Sequence, residues 1–217
     1  MDMIKNIIFD LGGVIYDIRY ENIAEAFARH GVKGTEHFYG RTFQTLEMDL
    51  FETGHMSVGD FRDYIRRMTQ MPLTDEVIDE IINAILIDVP EPRVKMLQRL
   101  KTHYNVFLFS NTNQINYDCY TEAMKRKYGF DFFADCFKAC YFSHIMHQRK
   151  PNQEGFRMII DEQHLIAEET LFIDDNIANV EAARKAGIKG YHLKDRDVTS
   201  LFGNEGELQV NEGELQV

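Results

Sequence analysis

Ile7-Ile8-Phe9-Asp10-Leu11-Gly12-Gly13-Val14-Ile15-Tyr16-Asp17 is the stretch from which the chain reads as an α/β protein. An apolar run, Ile4 and Ile7 to Phe9, ends in a carboxylate and then meets two glycines, the pattern of a buried strand opening into a tight turn at its carboxyl end. Open α/β sheets place their chemistry at that end of a strand. Alone, an Asp there reads equally well as a turn or capping residue.

Three later segments repeat the device and shift the balance. Val106-Phe107-Leu108-Phe109-Ser110-Asn111-Thr112 is an apolar strand ending in a hydroxyl. Arg149-Lys150-Pro151 supplies a cation before a helix, and Leu171-Phe172-Ile173-Asp174-Asp175-Asn176 ends a strand in two carboxylates. Each has an ordinary reading when taken singly: a strand-ending turn for Ser110, a solvated loop cation for Lys150, helix capping before Ile177 for the paired acids.

In the order Asp, Ser, Lys, Asp-Asp, from about Ile4 to Leu193, the chain resembles the haloacid dehalogenase-like (HAD) hydrolases that carry a helical cap after the first strand. Within that group Phe9-Asp10-Leu11-Gly12, Ser110-Asn111-Thr112-Asn113, Arg149-Lys150-Pro151 and Asp174-Asp175-Asn176 are most similar to bacterial phosphatases acting on glucose 1-phosphate and related sugar phosphates.

The pattern between the motifs agrees with such a fold. From Tyr20 to Pro92 the periodicity is helical: Ile23, Ala24, Phe27 and Ala28 share one face, Phe61, Tyr64, Ile65 and Met68 a second, and Val77, Ile78, Ile81, Ile82 and Ile85 a third. Ser57 with Asp60 has the form of a capping box, and Thr74 can cap the third helix ahead of Asp75 and Glu76. From Pro92 strands alternate with helices: helix 93–101, strand 106–110, helix 115–127, strand 139–143, helix 152–160, strand 170–173, helix 177–186, strand 190–193. That alternation implies right-handed crossovers and a parallel sheet covered on both faces. The expected architecture is a Rossmann-like α/β core of residues 1–16 and 92–203, a helical-bundle cap of residues 17–91 inserted between the first two core strands, and a tail of residues 204–217. In the tail Asn204-Glu205-Gly206-Glu207-Leu208-Gln209-Val210 is repeated letter for letter as Asn211 to Val217, and it reads as a surface appendage, a terminal hairpin or an arm touching another copy.

Composition narrows the classes of partner. A chain of 217 residues buries roughly 70% of its unfolded surface and needs no staples. With 24 Lys and Arg against 35 Asp and Glu, a net charge of −11 argues against nucleic acid or an anionic membrane as the main partner. Four of those acids lie in the tail, so the acidity belongs to the whole chain. Three cysteines, no basic and apolar leader in Met1 to Asn6, and no uncharged apolar run of roughly 18 residues make the cytoplasm the expected compartment. Whether the chain is a monomer or a homodimer stays open.

The resemblance implies roles for the motif residues. Asp10 would attack phosphorus to form an aspartyl-phosphate, which water then hydrolyses. A carboxylate meeting a phosphate dianion needs screening, and Mg²⁺ would supply it, bound by Asp10, the Gly12 carbonyl and Asp175, with Asp174 ligating or acting through water. Ser110 and the backbone N–H groups of Asn111 and Thr112 would hold a phosphate oxygen. Lys150 would bridge the phosphate and Asp10 as a point charge. Asn179, four residues after Asp175, is placed either beneath the metal site or as a capping residue. The implied activity is that of a Mg²⁺-dependent phosphatase for a small phosphorylated metabolite such as glucose 1-phosphate.

One position departs from the family. Most phosphatases of this superfamily carry a second Asp two residues after the nucleophile, where it protonates the leaving alcohol; here Gly12 stands there. General acid–base help is worth roughly 10²–10⁴-fold, so ordinary alkyl phosphates should suffer most, and a sugar 1-phosphate, leaving as a hemiacetal hydroxyl, least. Glu47, Asp49, Glu52, His55 and Tyr16 lie in segments able to face the site, but each reads as well as a surface charge or packing residue and none is assigned a catalytic role. Specificity is expected in the cap, around Phe43 to Met56.

Two other readings compete with phosphatase activity. A non-catalytic phosphate-binding module would keep the pocket without the chemistry. A 2-haloacid dehalogenase would also lack an Asp at position 12, but Asp174 and Asp175 without a metal would repel its carboxylate substrate. Cys136, Cys140, His144 and His147 have spacings that suggest zinc, yet they flank a core strand and read better as buried thiols and loop histidines.

Overall fold

A computed structural model describes residues 4–35, 38–40, 43–210 and 212–215 of the chain. Five parallel strands form the core: β1 (Asn6–Phe9), β2 (Asn105–Ser110), β3 (Ala139–Phe142), β4 (Thr170–Asp174) and β5 (Lys189–His192), in the spatial order β3-β2-β1-β4-β5. β1 lies at the centre, with Phe9 opposite Leu108 on one side and Ile173 on the other. Because side chains alternate along a strand, Ile7 and Phe9 enter one apolar cluster and Ile8 the other, and all three are wholly buried. This is why the run Ile7 to Phe9 has no polar alternation.

Ten α-helices accompany the sheet among the described residues. In chain order they are α1 (Glu21–Arg29), α2 (Leu46–Glu52), α3 (Val58–Thr69), α4 (Asp75–Asn83), α5 (Glu91–Leu100), α6 (Gln114–Tyr128), α7 (Phe132–Cys136), α8 (Ser143–Met146), α9 (Gln153–Gln163) and α10 (Ile177–Lys185). Val94, Leu97, Tyr120 and Met124 of α5 and α6 cover the Phe9 face; Phe156, Ile159, Ala182 and Ala183 of α9 and α10 cover the Ile8 face. β1 is thus shielded on both sides, and its only polar outlet is its carboxyl end.

Helices α1–α4 bury a core of their own, built on Ile23, Phe27, Phe51, Phe61, Ile65, Ile78, Ile81 and Ile82, with Phe51 and Phe61 stacked at 4.0 Å. Ser57 caps α3 as its sequence suggests: its hydroxyl accepts from Asp60 N–H at 3.1 Å and donates to the Asp60 carboxylate at 2.6 Å. The stripe expected on α1 needs correcting, since Ala26 is buried and Ala28 exposed. The periodicity also does not mark α2, a helix of seven residues started by Thr45, whose hydroxyl accepts from Met48 N–H.

The two links between cap and core run side by side, Asp17–Ile18 pairing antiparallel with Leu86–Asp88. Arg93, nearly buried at the start of α5, donates to Ile15 O at 3.1 Å, to Asp17 at 2.7 Å and to Asp197 at 2.8 Å, tying the first link to the chain beyond β5. The tail turns back as a short hairpin, one of the forms expected for it, with Phe202 bridged antiparallel to Leu208. Gly203 N–H donates to Glu207 O and Gln209 N–H to Leu201 O, and Leu208, Val210 and Leu215 pack on the main apolar cluster. Residues 211, 216 and 217 of the repeat, and residues 1–3, lie outside the described residues.

Candidate active site

The parallel register of β2, β1 and β4 sets Asp10 level with Asp174, with Ser110 one residue further along its strand, so all three reach the carboxyl edge of the sheet. Beyond β1 the chain turns at once: Leu11 O accepts from Ile15 N–H at 2.8 Å and from Tyr16 N–H at 2.7 Å, and Gly13 N–H donates to Tyr16 O. Gly13 adopts φ +80°, and a Cβ there would stand 2.5 Å from an Asp175 carboxylate oxygen. Glycine therefore serves both the left-handed turn and the close approach of Asp175 to the first strand.

Lys150 arrives from the loop before α9. Its backbone is clamped by the Asn111 side chain, which accepts from Lys150 N–H at 2.9 Å and donates to Lys150 O at 2.8 Å. Its ammonium, 1% exposed, donates to Asp10 Oδ1 at 2.6 Å and to Asp174 Oδ2 at 2.9 Å. Asp174 is wholly buried and further held by Asn176 N–H at 2.7 Å and by Asn179 Nδ2, which reaches both of its oxygens at 3.0 and 3.1 Å. Asp10 Oδ1 also accepts from Leu11 N–H at 2.7 Å.

One carboxylate oxygen from each of Asp10, Asp174 and Asp175 lies within 4.8 Å of the others. Burial first, then the charges of Asp174 and Asp175, push the Asp10 carboxyl up to about 8 against the opposing pull of Lys150. For Lys150 burial works the other way, but the Asp10 and Asp174 carboxylates outweigh it and hold the ammonium above its ordinary value. Three clustered carboxylates, two of them paired with one ammonium, leave the site short of positive charge. An all-oxygen donor set of this size suits a hard divalent ion such as Mg²⁺ better than zinc.

The other motif residues are also at this edge. Ser110, buried, lines the same cavity as Asp10, Gly12, Asn111, Thr112, Lys150 and Asp175, a space of about 490 Å³. The Thr112 amide, expected on a phosphate, instead donates to Ser143 Oγ at 2.9 Å, and Ser143 returns the bond to Thr112 O at 3.0 Å. The Asn111 side chain is engaged with the Lys150 backbone. At Gly12 a Cβ would come within 2.9 Å of Ile18 Cδ1, so the cap link covers the place where the family's second Asp would stand.

Tyr20, Tyr39 and Glu52 close the cavity from the cap, and Arg149 joins the two halves. Arg149 pairs with Asp49 at 2.7 Å and with Glu52 at 3.0 Å, and Tyr39 Oη donates to Glu52 Oε1 at 2.5 Å. Of the five segment residues weighed in the sequence, Tyr16 and Glu52 line the cavity, while Asp49 meets Arg149 and His55 bonds Thr53. Glu47 is half-exposed on α2. Tyr39 carries no local pattern that announces it, and the motif Arg149-Lys150-Pro151 gives no sign that Arg149 turns to Glu52, because their meeting is tertiary.

The cysteine and histidine quartet does not assemble. Burial pushes the Cys136 thiol up to about 12 and raises Cys140 as well, His144 packs against Tyr117 and Phe142, and His147 is bonded to Thr53 O at 2.8 Å. Among the described residues the aspartate trio is the one cluster with metal-holding spacing.

Residues 4–187 match the haloacid dehalogenase-like hydrolase family model. The chain belongs to the HAD-like hydrolases. Similar proteins span nearly its whole length. A D-ribitol-5-phosphate phosphatase of Bacteroides thetaiotaomicron is 29% identical over 191 residues, covering 87% of this chain and 91% of its own. A sesquiterpene phosphatase of Aspergillus oryzae is 30% identical over 197 residues, 91% of this chain and 93% of its own. A HAD family enzyme of B. thetaiotaomicron, solved with magnesium and inorganic phosphate, superposes with a TM-score of 0.84 at 31% identity, covering 92% of this chain and all of its own. An L-2-haloacid dehalogenase from Xanthobacter autotrophicus, at 18% identity and a TM-score of 0.58, shares the HAD fold alone.

Proposed function

We propose that the protein is a Mg²⁺-dependent phosphatase that hydrolyses a small phosphorylated metabolite, a sugar or polyol phosphate, through an aspartyl-phosphate on Asp10. The observation that carries this reading is the bridge from Lys150 Nζ to Asp10 and Asp174 with Asp175 beside them. That arrangement gathers a nucleophile, a cation and paired acids, and Asp10, Lys150 and Asp175 of the group line one cavity. The phosphatase and magnesium-bound relatives support it.

Asp10 Oδ1 already accepts from Leu11 N–H and Lys150, which fixes the carboxylate and leaves Oδ2 with lone pairs to spare. Oδ2 attacks phosphorus as the bond to the leaving oxygen breaks; water then attacks the acyl phosphate, releasing inorganic phosphate and restoring Asp10. Asp10, Asp175 and the Gly12 carbonyl would hold the Mg²⁺, which screens the phosphate from the carboxylates. Asp174, with Lys150, Asn176 and Asn179 already on its oxygens, has little acceptor capacity left. It positions Lys150 and would act on a bound ion only through water.

Gly12 brings no acid to the leaving group, so esters of good leaving groups turn over best. Glucose 1-phosphate is one such ester. The test is a panel of phosphorylated metabolites with p-nitrophenyl phosphate, each with and without Mg²⁺, on the wild-type protein and Asp10→Asn. Metal-dependent release of phosphate that Asp10→Asn abolishes supports the reading. Phosphate binding without hydrolysis of any ester would favour a binding module, and chloride release from a haloacid without Mg²⁺ a dehalogenase.

A further inference from the structure

Two of the relatives differ in what their names place beyond the phosphate: a hydroxylated chain in one, a hydrocarbon in the other. The motif residues see only the phosphate, so the choice for this chain must lie in the cap half of the cavity. Glu52 stands out there. It ends α2, its side chain is 1% exposed, and it is part of the cavity wall.

A carboxylate buried this deeply is costly unless its charge is matched. Arg149 matches it at 3.0 Å and Tyr39 Oη donates to it at 2.5 Å. A mere latch between cap and core would not need this residue at the wall, because Arg149 already has Asp49 at 2.7 Å on the more exposed side. Lys150, the next residue, grips Asp10, so one dipeptide links the cap carboxylate to the nucleophile.

Resting on the phosphatase reading, we propose that Glu52 is a specificity-determining residue: its carboxylate accepts hydrogen bonds from hydroxyl groups of the leaving alcohol and selects polyol and sugar phosphates over apolar phosphate esters. A hydroxylated chain replaces the water it displaces from Glu52. A hydrocarbon chain strips that water and returns nothing. The Tyr20 and Tyr39 rings, 5.4 Å apart in the same wall, offer apolar faces to the carbon-bound hydrogens of such a chain.

The experiment compares D-ribitol 5-phosphate with n-pentyl phosphate, which have equal chain length and both leave as primary alcohols, on wild-type protein and Glu52→Gln in Mg²⁺. The wild type should prefer the pentitol ester by roughly 10–100-fold in kcat/KM, the worth of one hydrogen bond to a charged group. Glu52→Gln should shrink that ratio at least tenfold, chiefly through a higher KM for the pentitol ester. A ratio measured on one sample does not depend on how much of it is folded, and the wild-type comparison needs no variant. Equal use of the two esters by the wild type, or a ratio in Glu52→Gln within twofold of wild type, overturns the proposal. Failure of the wild type to hydrolyse even p-nitrophenyl phosphate would overturn the phosphatase reading instead, and this proposal with it.

Discussion

Replacing Lys150 by Met keeps most of the side-chain volume and removes the charge that holds the site together. With the ammonium 2.6 Å from Asp10 and 2.9 Å from Asp174, an effective dielectric of about 20 gives roughly 6 kcal/mol of gross attraction to each carboxylate. Most of that offsets the cost of burying the charges, and breaking a buried pair of this kind costs about 3–5 kcal/mol. At roughly 2–4 °C per kcal/mol for a chain of this size, the metal-free variant should melt about 6–20 °C below wild type. The pH dependence has a definite sign. In the metal-free protein burial and the acidic neighbours push the Asp10 carboxyl up to about 8, with Lys150 opposing, so its native carboxyl keeps a proton that the unfolded chain gives up near pH 4; a bound Mg²⁺ would displace that proton and free the carboxylate for attack. Stability from that proton is complete below the unfolded value and is lost as pH rises through the folded one. Without Lys150 the folded value rises further, so the gap between variant and wild type should be wide at pH 9 and narrower at pH 6. Thermal unfolding in EDTA at both pH values measures it, and p-nitrophenyl phosphate hydrolysis in Mg²⁺ should fall by about 10²–10³-fold or more, as when a transition-state donor is removed. A variant with unchanged melting at pH 9, or with activity within tenfold of wild type, would refute the role given to Lys150.

Other perturbations probe separate parts of the site. Asn179→Leu removes the amide that reaches both Asp174 oxygens and should raise the Mg²⁺ concentration needed for half-maximal activity about 10–100-fold; an unchanged metal titration would remove Asn179 from the site. Gly12→Asp with Ile18→Val restores the family's second carboxylate while deleting the methyl that crowds it, and hydrolysis of primary alkyl phosphates relative to p-nitrophenyl phosphate should rise at least tenfold, within the range of general acid help. His144, buried with neither ring nitrogen hydrogen-bonded, is pushed by burial down to about 4. The unfolded chain therefore binds a proton first as pH falls below 6.5, and wild type should lose about 3 kcal/mol between pH 6.5 and 4 through this group. His144→Leu should flatten that part of the stability profile in urea titrations, and an equally steep profile would show that His144 is not responsible.

The elements most legible in the sequence are those whose pattern and burial have one cause. β1, β2 and β4 are unbroken apolar runs because each is covered on both faces, and each run stops at a polar residue on the carboxyl edge of the sheet, Asp10, Ser110 and Asp174. The capping hydroxyls of Ser57 and Thr74 are local chemistry and are readable for the same reason. α2, α7 and α8 are too short, at four to seven residues, for a helical period to emerge. Ala26 and Ala28 cannot be ranked by hydropathy, since only the packing of α1 on its neighbours decides which is buried. The diversion of the Thr112 amide to Ser143, and the convergence of Tyr39 and Arg149 on Glu52, join segments far apart in the chain. No window of sequence holds both partners. The two copies of the tail repeat share one role and differ in another: Leu208 and Leu215 both pack on the core, whereas Glu207 accepts from Gln209 within its own copy and Glu214 pairs with Arg196.

If Asp10 is the nucleophile, it becomes covalently phosphorylated during Mg²⁺-dependent turnover. Acid-quenching the protein during steady-state hydrolysis, followed by peptide mass analysis, tests this directly. The mechanism predicts one phosphoryl group on the peptide that contains Asp10, present with Mg²⁺ and absent in EDTA and in Asp10→Asn. Full hydrolysis by Asp10→Asn, or a phosphoryl group trapped on another residue, would contradict it.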